Sequence, residues 1–305
     1  MINLDDNFIS IVAYLHKNDS DVMTFLQTIE EVLKSNFRKY EYIFVDDGAN
    51  ENVINQIRNF KKRNNSIIRI IKMGFSQGLE ASMNAGIDLA IGDFVYEFDS
   101  VLIDYPGKIL MDVYHKALEG YDIVATVPQG LKCRISTKVF YRIYNLFRKS
   151  NEKLSIERFR IVSRRAINRA ESYSDVIPYR KAVYSSIGLN KTNIIYISNS
   201  KNNGYRFVDS GKIGTAIDAI VLFTDLAYKA SIVFASVLLL IAIIAVIFYG
   251  LYKNSVFWIP YAIIPAFCSC IILFFFAITF KYLEVLLKLV FKKEKYLISD
   301  IEKCD

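Results

Sequence analysis

The chain has 305 residues, 53% of them hydrophobic, and a formal net charge of +7, enough for one sizeable domain plus a separate apolar segment. Beside the apolar runs described below, the positive balance suits anionic lipid headgroups better than nucleic acid, and no nucleic-acid partner is expected. The four cysteines, Cys133, Cys268, Cys270 and Cys304, show neither metal nor disulfide spacing.

Phe8–Leu15 (FISIVAYL) is an apolar, β-branched run and reads as a first buried strand. Ser20 and Asp21 can cap a helix in which Val22, Phe25, Leu26, Ile29, Val32 and Leu33 recur at helical spacing. Tyr42–Val45 reads as a second strand running into Asp46-Asp47-Gly48, 53–63 as a helix, and 66–73 (SIIRIIKM) as a third strand. In 76–93 (SQGLEASMNAGIDLAIGD), Ala81, Ala85 and Gly86 make a helix thin enough to pack closely on a sheet. A further apolar run ends at Asp99, followed by a helix over 106–119 and a strand at 121–128 (YDIVATVP). Residues 132–154 are rich in Lys, Arg and Tyr, with Val139, Ile143, Leu146 and Phe147 at helical spacing, as in an amphipathic surface helix. Such alternation predicts an α/β fold with a mostly parallel sheet and helices on both faces. Carboxylates at the carboxyl ends of its strands then line the crevice where an open sheet binds its ligand.

Ala230–Tyr252 and Asn254–Phe280 contain no charged residue. Each exceeds the roughly 20 residues that span a hydrocarbon core, so two transmembrane helices, 230–252 and 255–280, are expected as a hairpin with its ends on one side. Lys229 before the hairpin and Lys281, Lys288, Lys292, Lys293 and Lys295 after it put those ends on the cytoplasmic face. Met1–Asn7 is polar and acidic and lacks a signal-peptide pattern. The expected organisation is a cytoplasmic domain over 1–205, an amphipathic juxtamembrane segment over 206–229, the hairpin over 230–280, and a basic cytoplasmic tail over 281–305. In the juxtamembrane segment a helix over 213–228 turns Ile217, Ile220, Val221 and Leu222 to the bilayer. Two spans without an intramembrane ionisable residue offer no ion path, which argues against a channel.

Three fragments together carry a family resemblance: VDDGA at 45–49, SQGLEASMNAGIDLAIGD at 76–93 and DSVLIDYP at 99–106. They resemble inverting glycosyltransferases of family 2, in the branch of dolichol-phosphate mannose synthase and the bacterial polyprenyl-phosphate glycosyltransferases. That pattern runs V-D-D-G-S, N-x-G-x-x-x-A-x-x-x-G-x-x-x-A-x-G-D, then D-x-D-x-Q-D-x-P. ERFRIVSRRAINRA at 157–170 is similar to the family's F-R-L-x-S-R-R, and Arg180 and Gly188 match its R-G-x-x-x-x-x-G-[FY]. Alignment back from Ala216-Ile217-Asp218 sets Arg206 on a family lysine and Phe207 on a family tyrosine.

The resemblance implies a GT-A (Rossmann-like) fold, a UDP- or GDP-linked sugar donor, a polyprenyl phosphate acceptor, and Mg²⁺ or Mn²⁺ at the D-x-D motif. It also implies a multi-pass protein of a bacterial-type inner membrane with its catalytic domain cytoplasmic, and leaves a homo-oligomer open. Asp46, Asp47, Gly48, Lys17 and Gln77 fall to the nucleotide-sugar, and Asp99, Arg180 and Arg206 to catalysis. Arg160 and Arg164 are candidates for phosphate on the lipid side, with Arg158 and Arg165 beside them, since guanidinium holds phosphate oxygens in pairs. His16, at a strand end, is a candidate to stack on the base, whereas His115 reads as a surface residue.

The departures from the pattern matter as much. Val101 stands for the second aspartate of D-x-D, Ile103 for the glutamine, and Tyr14-Leu15-His16-Lys17-Asn18 for P-x-Y-N-E. Asp99 with a diphosphate could still hold magnesium, which needs only one or two carboxylates. Lys17, Arg180 and Arg206 could instead supply the charge. A third reading is a catalytically impaired paralogue that scaffolds cell-surface glycan assembly.

Overall fold

The computed structural model describes residues 4–17, 19, 22–63, 66–129, 135–148, 150, 152–173, 179–198, 211–226 and 295–304, with separate residues between 229 and 286. In chain order the elements are β1 (Ile9–Leu15), α1 (Val22–Asn36), β2 (Tyr40–Asp46), α2 (Glu51–Lys61), β3 (Ile67–Met73), α3 (Leu79–Leu89), β4 (Phe94–Phe98) and α4 (Lys108–Leu118). There follow β5 (Ile123–Gln129), α5 (Ile135–Phe147), β6 (Phe159–Ser163), α6 (Arg164–Tyr173), α7 (Arg180–Ser186), β7 (Lys191–Ile197), α8 (Gly211–Phe223) and β8 (Ile298–Cys304).

The strands form one sheet in the order β7-β5-β6-β4-β1-β2-β3-β8. Strands β1 to β4 pair in parallel, as the alternation of strand and helix predicts. Strand β1 is buried along its whole length, which is why its sequence is a continuous apolar run rather than an alternating one. Helices cover both faces. On one, Phe25 of α1 meets Phe44 and Phe98 edge-on, at ring separations of 6.3 and 4.9 Å. On the other, Val12, Val45 and Val95 pack with Met83 and Ala85 of α3 and Ile167 of α6.

Two strands run against the rest. β6 lies antiparallel between β4 and β5, and β8 lies antiparallel on the outer side of β3. β8 belongs to the stretch expected as a basic cytoplasmic tail. It covers what would otherwise be an open strand edge, and a two-pronged pair fastens it: Arg58 Nε and Nη2 donate to Glu302 Oε1 and Oε2 at 2.7 and 2.8 Å. No local signal announces a partner more than two hundred residues away, so short-range pattern could not find it.

Among the described residues no helix is long and apolar enough to cross a membrane. The expected spans 230–252 and 255–280 fall largely outside the described residues, as do Arg206 and Phe207. Helix α8, over Gly211–Phe223, lies in the stretch expected to be an amphipathic helix, and Ile217 is exposed.

Helix α3 lies close on the sheet because Gly86 has no side chain. A Cβ there would run into Val12 of β1 and sit 2.8 Å from Val45 Cγ2 of β2. Gly86→Val should therefore overpack the β1–β2–α3 seam and cost about 1–3 kcal/mol, read as a lower urea midpoint at unchanged slope.

Candidate active site

After β1 the chain builds β2 and β3 on one side, while β4 returns to the other. In an open α/β sheet the loops on either side of such a reversal diverge, and the crevice where the sheet binds its ligand lies between them at the strands' carboxyl ends. His16 and exposed Lys17 leave β1 there, and Asp99 leaves β4.

Glu97 and Asp99 alternate along β4 onto one face. The antiparallel register sets Arg160 of β6 opposite Glu97, and the first residue of α7 brings in Arg180. Arg160 Nη2 donates to Asp99 Oδ2 at 2.9 Å and Arg180 Nη2 to Asp99 Oδ1 at 3.0 Å. Lys181 Nζ stands 3.5 Å from the same carboxylate. Arg180 also reaches Glu97 at 2.9 Å and Glu80 at 3.1 Å. Arg160 lies 3.3 Å from Glu157, which Lys191 pairs at 2.7 Å, and the Tyr184 hydroxyl donates to Glu97. Four carboxylates (Glu80, Glu97, Asp99, Glu157) thus face four cations (Arg160, Arg180, Lys181, Lys191), and the charge cancels inside a cluster whose arginines are 1% exposed.

Burial alone would raise the Asp99 carboxyl, but Arg160, Lys181 and Arg180 outweigh it and hold it well below the usual carboxylate range. Glu157 behaves alike: burial raises it, and Lys191, Arg160 and Lys181 bring it down to about 2. Burial lowers Lys181, yet Tyr141 and Asp99 leave it raised.

At the end of β2 the two aspartates divide their work. Asp47 is 2% exposed and its oxygens are filled: Oδ1 accepts from Gln77 N at 2.7 Å, and Oδ2 from the Tyr14 hydroxyl, Gly78 N and Ser76 Oγ at 2.9, 2.9 and 3.1 Å. It binds the loop after β3 to β1. Asp46 Oδ1 closes the following turn by accepting from Gly48 N and Ala49 N. Gly48 makes that turn at φ +92°, with open space where a side chain would be. Gln77 is tied to the tail, its Nε2 donating to Leu297 O and its Oε1 accepting from Leu297 N.

The four arginines proposed for phosphate are each committed to the protein. Arg158 grips Asp104 with two nitrogens, and Asp104 also accepts from Tyr196 and Ser198. Arg160 serves the cluster. Arg164 donates to the carbonyls of Ala90 and Gly92, at the amino end of β4 and the far edge of the sheet from Asp99, where its charge favours the carboxyl end of α3. Arg165 pairs with Asp122. His115, in α4, lies outside the crevice.

The sequence model of Glycosyl transferase family 2 matches residues 21–188, more than half of the chain. The chain belongs to this family. An uncharacterized glycosyltransferase of Synechocystis sp. is 23% identical over 241 residues, 77% of this chain and 75% of the relative. The undecaprenyl-phosphate 4-deoxy-4-formamido-L-arabinose transferase of Aeromonas hydrophila is 27% identical over 127 residues, 42% of this chain and 39% of that protein. In shape the chain is similar to a mannosyltransferase from Pyrobaculum calidifontis solved with GDP-Man and Mn²⁺, at 12% identity and a TM-score of 0.48, over 95% of this chain and 89% of that one.

This family 2 glycosyltransferase is thus an enzyme of nucleotide-sugar transfer, built on a mostly parallel α/β sheet. Its D-x-D position does not fit a divalent ion. Asp99 already has both oxygens on guanidinium groups, and Val101 is buried in the apolar core at 2% exposure. Among the described residues no group of three or more His, Cys, Asp or Glu could hold a metal. Of the residues assigned to catalysis, Asp99 and Arg180 are in direct contact. Sequence reasoning missed Glu97, Glu80, Glu157, Lys181 and Lys191. Glu97 alone carried a signal, since a charge within the buried run FVYEF demands a partner.

Because the folded pKa values of Asp99 and Glu157 are depressed, their stabilisation is complete above the unfolded carboxylate range and drains as pH falls through the folded values. For Glu157 that window runs from about 4.5 down to about 2. The urea midpoint of the parent should fall through it more steeply than that of Glu157→Gln, a difference of a few kcal/mol.

Proposed function

We propose that the enzyme moves a sugar from a nucleoside diphosphate to a polyprenyl phosphate at the cytoplasmic face of a membrane, anchored by residues 230–280. This reading is carried by the placement of Asp46 and the Asp99 cluster at the carboxyl ends of β2 and β4, on either side of β1, where the strand order reverses. The Aeromonas relative acts, by its name, with undecaprenyl phosphate. Anchoring is supported by the two uncharged runs, and by the chain on either side of them joining one sheet, β8 on β3.

A phosphate monoester acceptor is largely anionic at neutral pH, with a second pKa near about 6, so no strong general base is needed. The protein's task is alignment and stabilisation of the departing diphosphate. Asp46 is the carboxylate available to the nucleoside. Arg160 and Arg180, neutralised and buried, fix the wall of the crevice. Lys181 and Lys17 are the cations at its rim, Lys181 with 11% of its side chain exposed and Lys17 more so.

The test is transfer from radiolabelled UDP- or GDP-sugars to undecaprenyl phosphate by the full chain in nanodiscs. Turnover is expected, with Lys181→Ala slowing it by about 10²–10³, the usual effect of removing one preorganised charge. Nucleotide binding with no transfer to any lipid phosphate would overturn the acceptor class, and absence of binding would overturn the whole reading.

A further inference from the structure

The loop between β3 and α3, residues 74–78, flanks the same crevice beside Asp46 and Asp47. Its glycines, Gly74 and Gly78, the latter at φ +83°, would leave it loose if nothing held it. From the inner side Asp47 gathers Ser76, Gln77 and Gly78. From the outer side the far end of the chain does the same. Gly74 N donates to Leu297 O at 3.0 Å, and so does Gln77 Nε2 at 2.6 Å, while Leu297 N donates to Gln77 Oε1 at 3.0 Å.

The side-chain amide of Gln77 therefore takes both hydrogen-bonding groups of one residue, as a partner backbone would. It adds a rung to the β3–β8 ladder just beyond the register shift at Lys72 and Met73, where β3 ends. The same stretch is fastened at two further points. The Tyr296 hydroxyl donates to Asp88 Oδ2 at 2.9 Å on α3, and Glu302 is held by Arg58.

We propose that residues 295–304 are a positioning strap for the crevice loop, with Gln77 as the positioning residue through which they act. The proposal rests on the nucleotide-sugar reading for what the loop positions, but the strap itself is a statement about the loop's order. It makes a segment reached only through the apolar residues 230–280 a part of the site's support. A chain whose apolar stretch ended on the opposite side of a membrane from its start could not complete that support.

Gln77→Ala in the full-length protein removes both side-chain bonds and leaves the backbone bonds to Asp47 in place. Hydrogen exchange at the amides of Gln77 and Gly78 should then accelerate by about tenfold, with the amides of β1 and β2 unchanged. KM for the nucleotide-sugar should rise several-fold with kcat near the parent's. Gln77→Glu, which keeps the acceptor for Leu297 N but loses the donor, should fall between the two. Exchange equal to the parent's would overturn the strap, and so would acceleration spread through the whole sheet, which would mark general destabilisation. Faster loop exchange with an unchanged KM would overturn the positioning role. A parent that binds no nucleotide-sugar would sink the proposed function, while exchange would still decide whether the strap orders the loop.

Discussion

Both oxygens of Asp99 are held by guanidinium groups, and much of the site's geometry follows from that. A carboxylate at the end of a buried strand would otherwise be costly to keep ionised. Here Arg160 arrives from the neighbouring antiparallel strand and Arg180 from the start of α7, so one side chain joins β4, β6 and α7. Glu97, Glu80 and Glu157 then balance the excess positive charge, and Lys181 and Lys191 complete the count. A buried ion network of this kind is a doubtful source of net stability, because desolvation consumes most of its attraction. Losing one member is a different matter: it strands buried charges, at a cost of about 3–5 kcal/mol. The cluster is accordingly better understood as a device that allows one arrangement of the crevice wall than as a store of folding energy.

Asp47 plays a comparable part on the other side. Its carboxylate, which sequence pattern would assign to a ligand, serves instead as the anchor of a loop. The two walls are thus set by acids with different tasks: Asp99 by ion pairing across elements, Asp47 by accepting from backbone amides. The tail closes the third side of the loop through Leu297.

The parallel core was legible because its strands are continuous apolar runs and its helices keep a regular stripe, as in Phe25, Leu26, Ile29 and Leu33. Asp99 and Arg180 were each picked out by spaced motifs, but their pairing was not, since the two are far apart in the chain. What escaped had no local cause. Strand β8 exists because an edge of β3 needs covering, and nothing in ISDIEKC says which edge. Whether Arg158, Arg160 and Arg164 hold phosphate or protein depends on register: on an antiparallel strand Arg160 falls beside the crevice and Arg164 at the opposite edge. Asp47 and Asp46 are adjacent, and only the path of the following loop decides which one is enclosed.

Arg160 and Arg180 hold both oxygens of Asp99, the residue on which the family's D-x-D pattern falls, and so leave it no oxygen for a divalent ion. Titration calorimetry of UDP- and GDP-linked sugars against the full chain, once in excess EDTA and once in Mn²⁺, reads out whether nucleotide binding needs the ion. Affinities should agree within about twofold in the two buffers, a difference of under about 0.5 kcal/mol. Binding that appears only with Mn²⁺ would contradict that expectation.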